Sequence, residues 1–166
     1  MKILAIDPGN EMSAYCILED YKPIEFGKLP NVDMLQKIFG LAVGAGPIID
    51  KVAIEMVASY GMPVGKEVFD TCVWVGRFWE MYGDTDEVSL IYRLEVKEMI
   101  CHDSRAKDAN IRQALIDRFA QHDFKNGKGT KKKPDWFYGF AADVWAAYAV
   151  GVTWLDKQKE DVKHAT

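Results

Sequence analysis

The first ten residues, Met1-Lys-Ile-Leu-Ala-Ile-Asp-Pro-Gly-Asn10, decide how the rest of the chain is interpreted. Residues 2–6 form a short apolar, β-branched run without helical periodicity, which predicts a buried strand. The run ends in an acid at Asp7, and Pro8-Gly9 then forces a turn. A carboxylate at the end of a central strand is held by the sheet yet reaches solvent, so Asp7 is a candidate metal ligand. The alternative is that Asp7 only starts the turn, since Asp-Pro-Gly is ordinary turn chemistry.

The composition is that of a single folded domain, which we place over residues 1–166. The chain is 49% hydrophobic and 12% aromatic, enough to bury a sizeable core. No apolar run approaches the ~20 residues of a membrane helix, and the N-terminus enters a strand pattern without a signal peptide. The three cysteines are widely spaced and lack a CxxC motif, which favours reduced thiols in a cytoplasmic protein over a zinc site.

Positive charge is concentrated in one part of the chain, although the net charge is −4. Residues 1–90 carry 7 Lys and Arg against 14 Asp and Glu, whereas residues 91–134 carry 11 against 6. Within the basic part, residues 125–134 contain five lysines, two glycines and no apolar residue. This composition predicts a mobile cationic loop that binds phosphate. Its lysines are Lys125, Lys128, Lys131, Lys132 and Lys133.

The hydrophobic pattern of the remaining chain predicts an α/β domain. Strands over 13–18 and 24–28 continue the first strand as an antiparallel meander. Further strands are expected over 48–57 and 88–93. Helical periodicity predicts helices from 31 or 33 to about 43, from about 66 to 81, over 95–101 and 106–121, and from near 135 to about 157.

Three acids stand in apolar settings that acids do not occupy by default. Asp7 ends the first strand, Glu55 lies inside the fourth, and Asp143 is placed in the apolar first half of the last helix. Neighbouring first and fourth strands would bring Asp7 and Glu55 together, and a helix across that edge could add Asp143. Crowded carboxylates repel unless a divalent cation is present, and hard oxygen ligands favour Mg²⁺ or Mn²⁺. For Glu55 alone, pairing with a Lys or Arg is the alternative.

This arrangement resembles the ribonuclease H-like superfamily, and within it the RuvC Holliday junction resolvases. The motifs are Ile6-Asp-Pro-Gly9, Ala53-Ile-Glu55 and Ala141-Ala-Asp-Val-Trp-Ala-Ala147. Residues 55–69 and 105–118 resemble the phage and prophage type of these enzymes more closely. The resemblance implies a five-stranded mixed sheet, three antiparallel strands then two parallel, flanked by helices. It also implies a Mg²⁺-dependent endonuclease, with two ions per site, that acts as a homodimer on branched DNA.

One position departs from the family pattern. RuvC proteins usually carry a second acid one helical turn before the terminal Asp, and here that position is Phe140. The ligand set is therefore Asp7, Glu55 and Asp143, with Asp135 as a weak fourth candidate eight residues upstream.

The resemblance also suggests which residues contact DNA. Lys107 and Arg112 resemble basic residues of the family that contact phosphate or stabilise the transition state. The alternative is that both are simply solvent-exposed residues of a helix. Tyr60 and Met62 lie where the resemblance implies a loop that inserts apolar side chains at the crossover of the DNA strands. The alternative is that both side chains simply pack against the protein.

The long helix over 66–81 carries apolar residues on two sides. One stripe, through Val68, Cys72, Val75 and Trp79 with Phe69 and Gly76, is expected to cover the sheet. The second stripe, Trp74, Phe78 and Met81, is expected to meet a partner chain, because exposed aromatic patches are uncommon in monomers. The alternative is that another helix of the same chain covers it.

Two other functions stay open at this point. A nuclease of the same fold could act on RNA–DNA hybrids or rRNA precursors, and a non-catalytic DNA-binding module could keep the acids as relics. Three acids in costly positions argue against the second. The length argues against a two-lobed ATPase of the actin type. Four-way junctions, flaps and forks are all possible branched substrates.

Overall fold

The computed structural model describes residues 1–83 and 86–164. Within them the chain forms a five-stranded sheet of β1 (Lys2–Asp7), β2 (Met12–Glu19), β3 (Lys22–Pro30), β4 (Lys51–Met56) and β5 (Val88–Tyr92). The strand order is β3-β2-β1-β4-β5. Strands β1, β2 and β3 pair antiparallel, whereas β4 is parallel to β1 and β5 is parallel to β4. The predicted mixed sheet is confirmed.

Helices cover both faces of the sheet. They are α1 (Asn31–Ala42), α2 (Lys66–Tyr82), α3 (Arg93–Cys101), α4 (Asp108–Phe119) and α5 (Val144–His164). Helices α1 and α2 pack on one face, and α5, α3 and α4 lie on the other. Of the helices in the described ranges, none is both long enough and apolar enough to cross a bilayer.

The alternation of β1 decides which face receives its acid. Ile3 and Ala5 belong to the core under α5, whereas Leu4 and Ile6 belong to the core under α1 and α2. Successive side chains of a strand point to opposite faces, so the next residue, Asp7, faces the α5 layer.

Helix α5 lies unusually close to the sheet at Gly151. A Cβ atom at this position would lie 2.6 Å from the side chain of Leu18 and 3.1 Å from that of Ala5. A larger residue would require the Leu18 side chain to move aside and Ala5 to shift by a few tenths of an ångström. Glycine at this position therefore allows α5 to pack closely on strands β1 and β2.

The last helix begins at Val144, and the prediction that it begins near Asp135 is wrong. Residues 135–143 form successive turns, with Gly139 at φ +89°. Phe137 and Phe140 are buried as expected, but from these turns and not from a helix face. Their spacing of three residues imitates helical periodicity, which explains the error.

Helix α2 buries residues from both predicted stripes. Val75 is buried and Trp79 packs against the same core, as predicted. Phe78 of the second stripe is fully buried as well, so it contributes nothing to a surface patch. The assignment of Phe78 to an exposed stripe is wrong, because its own subunit covers it. Trp74 and Met81 are half-buried against the same core. The placement of Phe69 and Gly76 on the stripe that covers the sheet is also wrong, because both are exposed. The exposed apolar side chains of α2 are Phe69 and Val73, each 60% exposed.

Candidate active site

Asp7 and Glu55 meet at the ends of two neighbouring parallel strands. Ile6 pairs with Ile54 across β1 and β4, so the next residue on each strand is one of the two acids. Ala53 shares the α5 layer with Ala5, and the alternation along β4 turns Glu55 to that same face. The two carboxyl groups lie close enough for the charge of Glu55 to raise the pKa of Asp7. The structure thus brings these two predicted residues together.

A buried polar network fixes the turn that follows Asp7. The Ser13 hydroxyl accepts a hydrogen bond from the Gly9 N–H at 3.3 Å and donates one to Asn31 Oδ1 at 2.6 Å. Asn31 Nδ2 in turn donates to the Gly9 carbonyl at 2.8 Å. A Cβ atom on residue 9 would lie 2.4 Å from the Met12 carbonyl oxygen, so the turn requires glycine. Asp7 is therefore mounted on a rigid turn.

Burial and mutual repulsion disfavour ionisation of the two acids. Burial, and then the charge of Glu55, raises the pKa of Asp7 to about 8, against the opposing effect of Arg93. Burial also raises the pKa of Glu55, again opposed by Arg93. Without an added cation the pair consequently holds a proton near neutral pH.

Arg93 and Asp108 belong to this site but received no role from the sequence. Arg93 Nη1 lies 3.6 Å from Glu55 Oε1, and Arg93 Nη2 donates a hydrogen bond to Asp108 Oδ1. The pairing of Glu55 with a basic residue, raised as an alternative, is therefore present. One signal could have identified Arg93: it directly follows β5, and parallel neighbouring strands end at the same edge of a sheet.

Asp143 lies at the same site but points to a lysine. It immediately precedes α5, and its carbonyl accepts hydrogen bonds from the backbone of Ala146 and Ala147. Its carboxylate is ion-paired with Lys28 on β3, another residue that the sequence analysis did not identify. Its negative charge contributes to the raised pKa of Asp7, as the smallest of the causes. Among the residues that the structure describes, no three His, Cys, Asp or Glu side chains form a ready metal-binding cluster.

A cavity of about 320 Å³ opens over the acids. It is lined by charged groups of both signs and by the start of α5. Arg112 reaches it from α4, with its guanidinium 4.8 Å from the centre of the Trp145 ring. Lys107 is exposed one residue before α4, where its backbone N–H is bonded to Asn110. The charged residues that line the cavity are Asp7, Glu55, Arg93, Asp108, Arg112 and Asp143.

Neither position considered for a fourth acid supplies a ligand. Phe140 is 2% exposed and packs against Phe26, with ring centres 4.6 Å apart. The Asp135 side chain is fully buried and accepts backbone hydrogen bonds from Gln121, His122, Asp123 and Trp136 at 2.7–3.0 Å. Burial alone would raise the pKa of Asp135, but these four donors lower it well below its usual range. The prediction of Asp135 as a fourth metal ligand is wrong, because both of its carboxylate oxygens already accept hydrogen bonds from the backbone.

The lysine-rich segment has a defined backbone, which its composition did not predict. Asp123 accepts backbone hydrogen bonds from Asn126, Lys128 and Gly129. Thr130 and Lys133 exchange backbone hydrogen bonds of 2.9 and 3.1 Å, which close a tight turn. The side chains of residues 131–133 are exposed at this turn. Within the described part of the chain, none of the five lysines lines the cavity over Asp7.

The loop after β4 is exposed. Tyr60 and Met62 are 57% and 68% exposed, so neither is packed into a core. Tyr60 and Gly61 have φ values of +46° and +83°. The alternative of simple packing is therefore excluded for both side chains, and contact with DNA stays a prediction.

Comparison with known proteins gives structural matches only: no family model and no curated protein matches the sequence. The fold is similar to T. thermophilus RuvC in complex with a Holliday junction substrate, with a TM-score of 0.67 and 12% identity. That match covers 97% of this chain and 96% of the other. A second Thermus thermophilus RuvC structure matches with a TM-score of 0.63 and 14% identity, over 97% of each chain. The narrower phage type stays a prediction. At this identity the likeness concerns the fold, and the chain has the ribonuclease H-like fold of RuvC.

Proposed function

We propose that this chain is a metal-dependent, structure-selective DNA endonuclease that resolves four-way junctions. The observation that carries the proposal is the pair Asp7 and Glu55, two partly buried acids that lie side by side at the ends of adjacent central strands and line one cavity. The third acid, Asp143, borders the same cavity. The RuvC structures of this fold, one of them bound to a Holliday junction substrate, support the choice of substrate.

The chemistry of the donor set fits a hard divalent cation. Asp7, Glu55 and Asp143 offer carboxylate oxygens, which are the ligands that Mg²⁺ and Mn²⁺ prefer. The raised pKa values of Asp7 and Glu55 indicate that the pair lacks enough positive charge. When bound, two such ions would polarise the phosphodiester, activate a water and stabilise the leaving 3′ oxygen.

The chain's own residues prepare the site for this chemistry. Asp7 must release its proton before it becomes a full ligand. Asp143 must exchange Lys28 for the cation, which frees a lysine beside the acids. Arg112, held over the Trp145 ring, provides a fixed positive charge that fits a DNA phosphate.

Affinity for DNA is assigned to Lys107, next to the cavity-lining Asp108, and to the lysine turn, which lies outside the cavity. Lys107 and the lysines of residues 125–133 are suited to phosphate contacts, which position DNA without reading its sequence. Tyr60 is suited to stack on an exposed base at a strand crossover, because every base offers a flat face to an aromatic ring.

We further propose that two chains form a homodimer, since paired nicks need two sites at a fixed separation. The surface offered is the exposed face of α2 with Phe69, Val73 and Gly76. There α1 and α2 flank a groove of about 500 Å³. A Cβ atom at Gly76 would meet nothing within 4 Å, so a second helix can approach closely. Trp74 and Met81 are half-buried on this helix and stay predicted contacts.

One cleavage assay tests the function. The wild-type chain is incubated with a synthetic immobile four-way junction, a linear duplex and an RNA–DNA hybrid, each with Mg²⁺ and with EDTA. We expect paired nicks in the junction that need Mg²⁺, and slower cleavage of the other substrates. Preferred cleavage of the hybrid would support the alternative ribonuclease function. Junction binding without cleavage of any substrate would support a non-catalytic module.

A further inference from the structure

Arg93 approaches Glu55 closely but does not form a hydrogen bond with it. The distance between Arg93 Nη1 and Glu55 Oε1 is 3.6 Å, which is an ion pair beyond normal hydrogen-bond length. Nη1 is buried and has no hydrogen-bond partner, one of two such side-chain atoms in the described part of the chain. A buried guanidinium nitrogen without a partner is costly. A shift of Nη1 toward Glu55 would remove this cost, so another contact must prevent the shift.

Asp108 is the group that holds Arg93. It is the first residue of α4, its side chain is 84% exposed, and it accepts a hydrogen bond from the other terminal nitrogen of Arg93. The guanidinium is a rigid plane, so the position of Nη2 at Asp108 restricts where Nη1 can lie. Arg93 itself is the first residue of α3 and is anchored by that helix.

We propose that Arg93 is a built-in counter-ion that competes with a divalent cation for Glu55, and that Asp108 weakens this competition by holding Arg93 away. This inference rests on the proposed metal site. Arg93 is then a positioning residue: it partly neutralises the acidic pair when no metal is bound. The contact with Asp108 leaves Glu55 Oε1 able to accept a metal ion.

The proposal predicts opposite effects on Mg²⁺ binding in the absence of DNA. Arg93→Gln removes the competitor, so we expect about tenfold tighter binding. Asp108→Asn frees Arg93 to close on Glu55, so we expect about tenfold weaker binding. Because Asp108 acts mainly through Arg93, adding Asp108→Asn to Arg93→Gln should weaken binding by much less than in the wild-type background, with only the direct charge of Asp108 on Glu55 left to lose.

The measurement is isothermal titration calorimetry of the whole chain with Mg²⁺ at pH 9, above the pKa of about 8 of Asp7. Titrations in two buffers of different ionisation enthalpy separate proton release from metal binding. Arg112→Gln is the matched control: it removes one positive charge from the same cavity, from a residue stacked on Trp145. We expect the control to change the affinity by less than about threefold.

Three results would overturn the inference. The first is Mg²⁺ binding by Arg93→Gln that is unchanged or weaker than in the wild type. The second is that Asp108→Asn weakens binding equally with and without Arg93. The third is that Arg112→Gln changes the affinity as much as Arg93→Gln does. If the wild-type chain binds no Mg²⁺, the proposed metal site itself fails. Far-UV circular dichroism checks that Arg93→Gln is folded. Asp108 is exposed, so Asp108→Asn is expected to fold and tests the proposal even if Arg93→Gln does not fold.

Discussion

Asp7 and Glu55 lie side by side at the ends of adjacent strands, and burial together with the charge of Glu55 raises the pKa of Asp7 to about 8. A carboxyl group whose pKa is raised in the folded state keeps its proton where the unfolded chain, with a pKa near 3.9, has lost it. Stability therefore falls as the pH rises between these two values. The acidic pair is a cost to the fold in the absence of a cation.

Asp7→Asn should accordingly stabilise the metal-free chain at high pH. We expect the wild type to lose stability between about pH 4 and pH 8, and the variant to be flatter over this range. At pH 8 the variant should be more stable by at least about 1 kcal/mol. Urea unfolding in EDTA at several pH values measures this. Equal pH profiles for the two chains would contradict the assigned pKa shift.

Cleavage should require all three acids, whereas binding should not. We expect Asp7→Asn, Glu55→Gln and Asp143→Asn each to lower the junction cleavage rate by about 10³-fold or more. Junction affinity should stay within about threefold, because basic groups provide most of it. Asp33→Asn, at an exposed position of α1, is the control for loss of one acid. Near wild-type cleavage by any of the three variants would remove that residue from the ligand set.

Asp135 should be a structural residue. We expect Asp135→Asn to lower stability at pH 7 by about 1–3 kcal/mol, because an amide opposes four backbone donors with only one acceptor oxygen. A lowered pKa contributes stability above the unfolded value near 4 that is lost as the pH falls below it. The difference between the two chains should therefore shrink in acid. Thermal unfolding at pH 7 and pH 3 checks this, and an equal difference at both pH values would argue against the assignment.

The lysine turn should provide affinity without selectivity. Replacing Lys131, Lys132 and Lys133 with Ala should weaken junction and duplex binding alike. The slope of log affinity against log salt should become shallower by about 1 to 3, since each lost phosphate contact removes about 0.9. Fluorescence anisotropy at several salt concentrations measures both. A loss confined to junctions, with the same salt slope, would refute this role. Lys66→Ala, an exposed lysine on α2, is the control.

The exposed face of α2 should carry the dimer. We expect Phe69→Glu combined with Val73→Glu to give a folded monomer that nicks a junction without paired cuts. Phe78→Glu should instead unfold the chain, because Phe78 is fully buried. Sedimentation velocity at micromolar concentration separates monomer from dimer. A wild-type monomer that still makes paired cuts would exclude the proposed interface.

Local sequence pattern predicted the strands and the position of each acid on its strand. It could not show that the first and fourth strands are neighbours; the resemblance to RuvC implied the mixed sheet, and the pairing of β1 with β4 then places Asp7 beside Glu55. The pairing partners could not be predicted in the same way. Arg93, Asp108 and Lys28 reach the acids from separate elements, and sequence spacing does not reveal which of many charged residues meet in space.

The start of the last helix and the buried face of α2 were predicted wrongly because the same residue spacing is compatible with more than one local structure. Phe137 and Phe140 have helical spacing but lie in turns, because Asp135 uses its oxygens to hold the preceding loop and Gly139 has a positive φ. Helix α2 is apolar around much of its circumference, so periodicity could not decide whether Phe78 or Val73 faces the core. Only the packing of α1 and β4 against it decides that.

Gly151 has a consequence for the chemistry that its position in the core does not suggest. It lies eight residues after Asp143, and its missing side chain allows α5 to pack closely on β1. Asp7 ends β1, and Asp143 directly precedes α5, some two helical turns before Gly151. We therefore expect a larger residue at position 151 to push the start of α5 away from β1, and to move Asp143 away from Asp7 although position 151 touches neither acid.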